Sequence, residues 1–112
     1  MDAYEIPSLR FSSNAAEAIT RRRFVIPTTD DTTSMAENGT ATIGVSMNDP
    51  KQNEVLEITD GIVMVEAGAT VTIGSEVQSG ANGVALNYAS GVKVGIFLTG
   101  GDVGELVTVK MY

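Results

Sequence analysis

Short apolar runs recur along this chain, and turn-forming residues cut them apart. The densest stretch is Gly61–Val77, GIVMVEAGATVTIGSEV. An Asp60-Gly61 pair reads as a turn that opens the β-branched run Ile62-Val63-Met64-Val65. Ala67-Gly68-Ala69 interrupts it, Thr70-Val71-Thr72-Ile73 alternates cleanly, and Gly74 closes that second run. Alternation of this kind predicts strands with one apolar and one polar face.

A copy of one motif flanks this stretch on each side. Ile43-Gly44-Val45-Ser46-Met47 precedes it and Val94-Gly95-Ile96-Phe97-Leu98 follows it, in ungapped alignment at a spacing of 51 residues. At the same spacing Glu54-Val55-Leu56-Glu57-Ile58 falls on Glu105-Leu106-Val107-Thr108-Val109. Each copy reads as a strand with an apolar-Gly-apolar step, a polar loop, and a Glu that opens a second strand. The pattern predicts a duplicated β-hairpin, with Gly61–Val77 as the bridge.

The remaining segments are less regular. Residues 1–13 carry Tyr4, Ile6, Leu9 and Phe11 without strand or helix periodicity, and Pro7 biases Ile6 toward extended backbone. Four large apolar residues exceed what a solvated tail needs, so residues 1–13 are expected to be an arm that docks on another chain. Residues 14–112 are expected to form one β domain. Asn14 and Glu17 make a capping-box pattern, but Asn14–Thr20 spans only about two turns. One short turn of helix, or none, is expected there. Asp30-Asp31 and Asn38-Gly39 read as turns rather than as a calcium loop or a glycosylation site. Gly80-Ala81-Asn82-Gly83 lacks the Lys-Ser/Thr of a phosphate loop.

Composition narrows the chemistry. Aromatic residues make up 5% of the 112 residues, so the core must be aliphatic. There is no Cys, His or Trp. Thiolate and imidazole catalysis are therefore excluded, and a zinc site would have to rest on carboxylates alone. Glu54 and Glu105 are conceivable as a carboxylate pair, but the repeat explains their matched positions. No catalytic residue, metal site or cofactor is expected. No apolar run approaches a membrane span, and the first residues lack the pattern of a signal peptide, so synthesis in the cytoplasm and no membrane contact are expected. The net charge of −7 divides into +1 over residues 1–23 and −8 over residues 24–112. The acidic body argues against nucleic-acid binding. The positive end carries Arg10 and the run Arg21-Arg22-Arg23, candidates for contact with an acidic partner surface.

The order of these pieces resembles the small capsid cement, or head decoration, proteins of tailed bacteriophages. Ala18-Ile19-Thr20 ahead of Val25, then Ile43-Gly44-Val45, then Gly61 to Val77, then Val94 to Val109 carry the resemblance, which covers Phe11 to the end. Where the family often has Gly before its first strand, this chain has Arg21-Arg22-Arg23. Strands recurring between turn signals along Phe24–Tyr112 predict an all-β fold, a small sandwich or barrel-like assembly of seven or eight strands with the duplicated hairpin, and the resemblance implies a compact β-fold as well. It implies a homotrimer on the outer surface of a phage capsid, stabilising the head, with the major capsid protein as partner. Tyr4, Ile6, Leu9, Arg10, Phe11, Arg21, Arg22 and Arg23 are the capsid- or subunit-contact candidates. A carbohydrate-binding sandwich is the alternative, weakened by the absence of Trp for sugar stacking.

Overall fold

The computed structural model describes residues 3–112, with Pro7 and Ser8 by their backbone alone. The fold is all-β. Among the described residues nine strands follow one another: β1 (Ile6–Ala15), β2 (Phe24–Thr29), β3 (Thr32–Met35), β4 (Gly44–Ser46), β5 (Val55–Glu66), β6 (Glu76–Ser79), β7 (Ala85–Asn87), β8 (Gly95–Phe97) and β9 (Leu106–Met111). One 3-10 turn covers Ala81–Gly83.

The strands form one mixed sheet in the order β1-β3-β2-β4-β5-β9-β8-β6-β7, and β1 also pairs with β5. That extra pairing closes β1, β3, β2, β4 and β5 into a five-stranded ring. A parallel bridge between Ala67 and Ala85 joins the end of β5 to β7, so β5, β9, β8, β6 and β7 make a second ring. The barrel-like expectation holds, as two small rings that share β5. That strand is 12 residues long, about twice a typical strand. Its first half pairs with β1 and β4, and its second half with β9.

The duplication is wider than the two hairpins. Val45 faces Thr59, and 51 residues on, Ile96 faces Lys110. Ala15 pairs in parallel with Thr33, and 52 residues on, Ala67 pairs in parallel with Ala85. The loops obey the same offset. Glu54 Oε1 accepts the Lys51 N–H at 2.8 Å, and Glu105 Oε1 accepts the Asp102 N–H at 2.6 Å. The residue before each Glu has positive φ, 71° at Asn53 and 84° at Gly104. Gly44 and Gly95 are needed for close approach. A Cβ on Gly44 would lie 2.5 Å from the Thr59 carbonyl oxygen, and one on Gly95 would lie 2.4 Å from that of Lys110. The hairpin crossing therefore admits only glycine at both equivalent positions.

The core is aliphatic and has two parts. Ala15, Ile19, Val25, Leu56 and Ile58 fill the first ring, with Phe11, Met35 and Ile43 packed against them. Val63, Val65, Val77, Ala85, Phe97, Val107, Val109 and Met111 fill the second. Phe24 and Val45, paired across β2 and β4, join the second group, so the first ring's outer face closes the second ring's core.

Four expectations are corrected. The expected arm, residues 1–13, is not separate from the β domain: Ile6–Ala15 form β1, laddered along β5 from Ile62 to Val55. Met1 and Asp2 of that arm lie outside the described residues. Alternation was hidden because the register shifts between Pro7 and Leu9: Ile6, Leu9 and Phe11 stand opposite Ile62, Asp60 and Ile58 on one face, although Ile6 and Leu9 are three apart in sequence. Asp60-Gly61 is not a turn but mid-strand in β5, where Asp60 Oδ1 accepts the Gly61 N–H at 2.7 Å and Gly61 has φ 110°. Gly61–Val77 is thus not a bridge between hairpins, since its first six residues belong to the shared strand. Thr70–Ile73 contributes only the Val71–Gly101 bridge instead of a strand. Of the two outcomes expected for Asn14–Thr20, one short turn of helix or none, the second is found: Ala16 N–H donates to Thr33 O, Ile19 N–H donates to Pro50 O, and the Glu17 carboxylate accepts the Met35 N–H instead of capping its own turn.

Candidate functional site

The eight contact candidates divide into two groups. Ile6, Leu9 and Arg10 of β1 are exposed, Ile6 to 58% and Leu9 to 55%. Arg21 is also exposed, its backbone N–H bonded to Asp49 Oδ1 at 2.8 Å and its side chain only loosely paired with Asp49 at 3.8 Å.

The other four candidates are engaged in the fold. Phe11 packs on the first ring's core. Tyr4 is half-buried, its N–H donating to Thr108 Oγ1 at 2.6 Å while that hydroxyl donates to the Tyr4 carbonyl at 2.7 Å. Arg22 pairs with Glu5 at 2.7 Å, the two side chains 21% and 12% exposed. Arg22 has φ 62°, which breaks the alternation of the arginine run. Its N–H donates to Ser46 O and its carbonyl accepts the Glu66 N–H, so it ties β4 to the end of β5. Arg23 pairs with Glu66 at 3.2 Å and donates to the Asn82 carbonyl at 3.1 Å. The three arginines therefore do not make one basic patch. Only Arg10 and Arg21 offer charge outward. Two joints of the molecule use the rest.

Strand register shows a further surface. Ile6, Ile62, Lys110, Ile96 and Glu76 face one another in one row across β1, β5, β9, β8 and β6. Met64 and Leu98 stand two residues along on the same outward side. Ile62, Met64, Ile96 and Leu98 are all half-exposed, opposite in phase to buried Val63, Val65 and Phe97. The signal for this face was in the sequence. Ile62-Val63-Met64-Val65 and Ile96-Phe97-Leu98 are unbroken apolar runs, and an unbroken run puts apolar residues on both faces of a sheet. Lys110 stands exposed in the row without an ion-pair partner among the described residues. At the row's end Glu76 binds Lys93 at 3.2 Å and accepts the Tyr112 hydroxyl at 3.1 Å. Partial desolvation, and then that carboxylate, raise the Tyr112 pKa above that of a free tyrosine, with Lys93 opposing.

Glu54 and Glu105 do not form a carboxylate pair. Each is committed to the amide of its own turn. Among the described residues no cluster of three or more His, Cys, Asp or Glu is placed to hold a metal ion.

The chain is similar to the N base of the head fiber gp8.5 of bacteriophage phi29, with a TM-score of 0.82, covering 93% of this chain and 93% of that one. The fold is that of a phage head fiber base. Sequence identity over the match is 19%, so the likeness is one of fold. The resemblance to phage head decoration proteins, read from the sequence, thus meets a phage head-associated protein in three dimensions. No family profile and no curated protein matches the sequence.

Proposed function

We propose that this chain is a structural, non-enzymatic virion protein that binds the outer surface of a phage capsid as a homotrimer and stabilises the head, with the major capsid protein as its partner. The observation that carries the reading is the fold shared with a phage head fiber base along nearly the whole chain. The outward apolar row is the second support. Ile6, Ile62 and Met64 on one side of Lys110 and Thr108, and Ile96 and Leu98 on the other, put apolar groups on the outward face of a chain of net charge −7, and a subunit or capsid contact would cover them. Arg21, exposed and only loosely paired with Asp49, offers a contact to an acidic patch of the capsid, and such a contact weakens with salt.

The test is co-sedimentation of purified protein with purified heads, together with light scattering of the protein alone. Binding that weakens as salt rises, with a mass of three chains in solution, is the expected result. A protein that stays in the supernatant at every salt concentration would overturn the capsid reading. A single-chain mass both free and head-bound would overturn the trimer.

A further inference from the structure

We propose that the open edge of β1, at Arg10 and Ser12, accepts an extended basic segment of a partner chain as an added strand. The two rings differ at this edge. Along β1 the backbone groups alternate in direction: Ala15 N–H donates to Glu54 O in the β5 hairpin, and Asn14 N–H donates the other way, to Asp31 O. The same alternation turns the N–H and C=O of Ser12 and Arg10 away from β5. On that side β3 pairs only with Asn14 and Ala15. Ser12 and Arg10 therefore present an unpaired strand edge, and both are exposed.

The second ring has the same edge, 52 residues on, and there it is capped. Glu66 N–H, the counterpart of Asn14, donates to Arg22 O at 2.9 Å. Met64 N–H, the counterpart of Ser12, donates to the Glu5 carboxylate at 3.4 Å. Ile62, the counterpart of Arg10, pairs with Ile6 of β1. Chain that precedes the second ring covers its edge. The first ring has no equivalent cover among the described residues. An uncovered edge is a template for strand addition. The bulge beside Pro7 limits the open run to the neighbourhood of Arg10–Ser12.

The charge around the edge selects the partner. Asp30 and Asp31 line the same recess as Ser12, Ser13, Asn14 and Val55. Glu57 stands opposite Ser12 and Asp60 opposite Leu9, against the single cation Arg10. A second copy of this acidic chain would be repelled there, whereas a strand with basic flanks is matched. Val55 and Leu9, 54% and 55% exposed, give such a strand apolar neighbours. The inference deepens the capsid reading by naming the backbone that would receive a partner's strand, and rests on it only for the partner's identity.

The experiment uses two labelled heptapeptides of alternating Val and Thr, one with Lys at both ends and one with Glu. Fluorescence anisotropy measures affinity, and hydrogen exchange of the full chain locates the contact. In the free protein the Phe11 and Ser13 amides should be protected and the Arg10 and Ser12 amides should exchange freely. The basic peptide should slow Arg10 and Ser12 and bind at least about tenfold tighter than the acidic one at low salt. Ser12→Pro removes only an outward N–H, so β1 keeps its ladder to β5, and peptide affinity should fall at least about fivefold, the worth of one lost backbone hydrogen bond. Arg10 and Ser12 amides already protected in the free protein, equal binding of the two peptides, or no binding would each overturn the proposal. Should Ser12→Pro fail to fold, the exchange pattern of the unmodified chain decides alone. Peptide binding without head binding would support the edge and overturn the capsid reading. Ser12→Pro that pellets with heads as well as the parent would overturn the edge and leave the capsid reading standing.

Discussion

Removing the Glu5 carboxylate should cost far more than its position near the start of the chain suggests. Glu5 Oε1 lies 2.7 Å from Arg22 Nη1 and also accepts the Met64 N–H at 3.4 Å. Glu5→Ala would leave the Arg22 guanidinium without its carboxylate in a site where its side chain is 21% exposed. Breaking a buried pair from one side costs about 3–5 kcal/mol, and residual solvent access puts this one near the low end, about 3 kcal/mol. An unfolding entropy of about 2.1 cal/mol/K per residue converts that to a fall in Tm of about 13 °C for a domain of this length.

Arg21→Ala is the internal control. Its partner Asp49 is 3.8 Å away and both side chains are more than half exposed, so the change should stay under about 1 kcal/mol. The assay is thermal denaturation of Glu5→Ala, Arg22→Met and the double variant. Arg22→Met keeps a non-glycine residue at φ 62°, so backbone strain cancels in the cycle. A coupling energy of about 1.5–3 kcal/mol is expected, because residues in direct contact are not additive. Hydrogen exchange adds a local readout: Met64 N–H should exchange faster in Glu5→Ala, while Glu66 N–H, held by the Arg22 carbonyl, should not. Coupling below about 0.5 kcal/mol, or a Tm change no larger than that of Arg21→Ala, would refute the claim that this pair joins the N-terminal segment to the fold.

Deleting residues 1–13 should abolish the cooperative melting transition, because it removes most of β1 and opens the first ring; a truncated chain with a sharp transition near the parent's would contradict the closed ring. Gly95→Ala should destabilise by at least about 2 kcal/mol, since its Cβ would meet the Lys110 carbonyl oxygen at 2.4 Å, whereas Gly104→Ala, with open space around its Cβ, should cost only the strain of its positive φ. Denaturant titration of both variants separates the two causes. Phe97→Ala should cost about 3–5 kcal/mol as one of the two phenylalanines buried in the second core, and urea unfolding at unchanged m-value checks it.

The parts of the fold legible in the sequence were those encoded by local geometry. The apolar-Gly-apolar step at Gly44 and Gly95, and the turn carboxylates Glu54 and Glu105, are constraints that one hairpin imposes on itself, so they survive as a repeat. The rest depends on distant residues. β1 hides its period behind the bulge between Pro7 and Leu9. Asp60-Gly61 carries turn chemistry, yet β5 runs through it because both halves of the strand find partners, β1 and β4 on one side of the break and β9 on the other. Arg21, Arg22 and Arg23 read as one charged run. Their separation into one exposed and two engaged side chains follows from the positive φ at Arg22 and from acids 17 and 43 residues away in sequence. The apolar outward face, by contrast, was readable, since alternation fails in Ile62–Val65 and Ile96–Leu98 in the way a two-sided apolar strand requires.

Sharing one strand between two rings gives the molecule its economy and its asymmetry. Each ring needs five strands, and two separate rings would need ten; running β5 through both leaves nine. The shared strand also makes the rings interdependent. Val55, Leu56 and Ile58 serve the first ring, Val63 and Val65 serve the second, and no linker decouples them. Phe24 and Val45 reinforce the coupling by lying in first-ring strands while filling the second core. Such a body should unfold as one cooperative unit despite its internal repeat, unlike solenoids whose repeats meet only at interfaces. The asymmetry lies at the edges. The second ring inherits cover from the chain before it, through Glu5, Arg22 and β1, while no described residue covers the first ring's edge at Arg10 and Ser12. A repeat that leaves its outer edge open on a rigid, fully coupled body gives a partner a fixed backbone to dock on rather than a loop that must first be ordered.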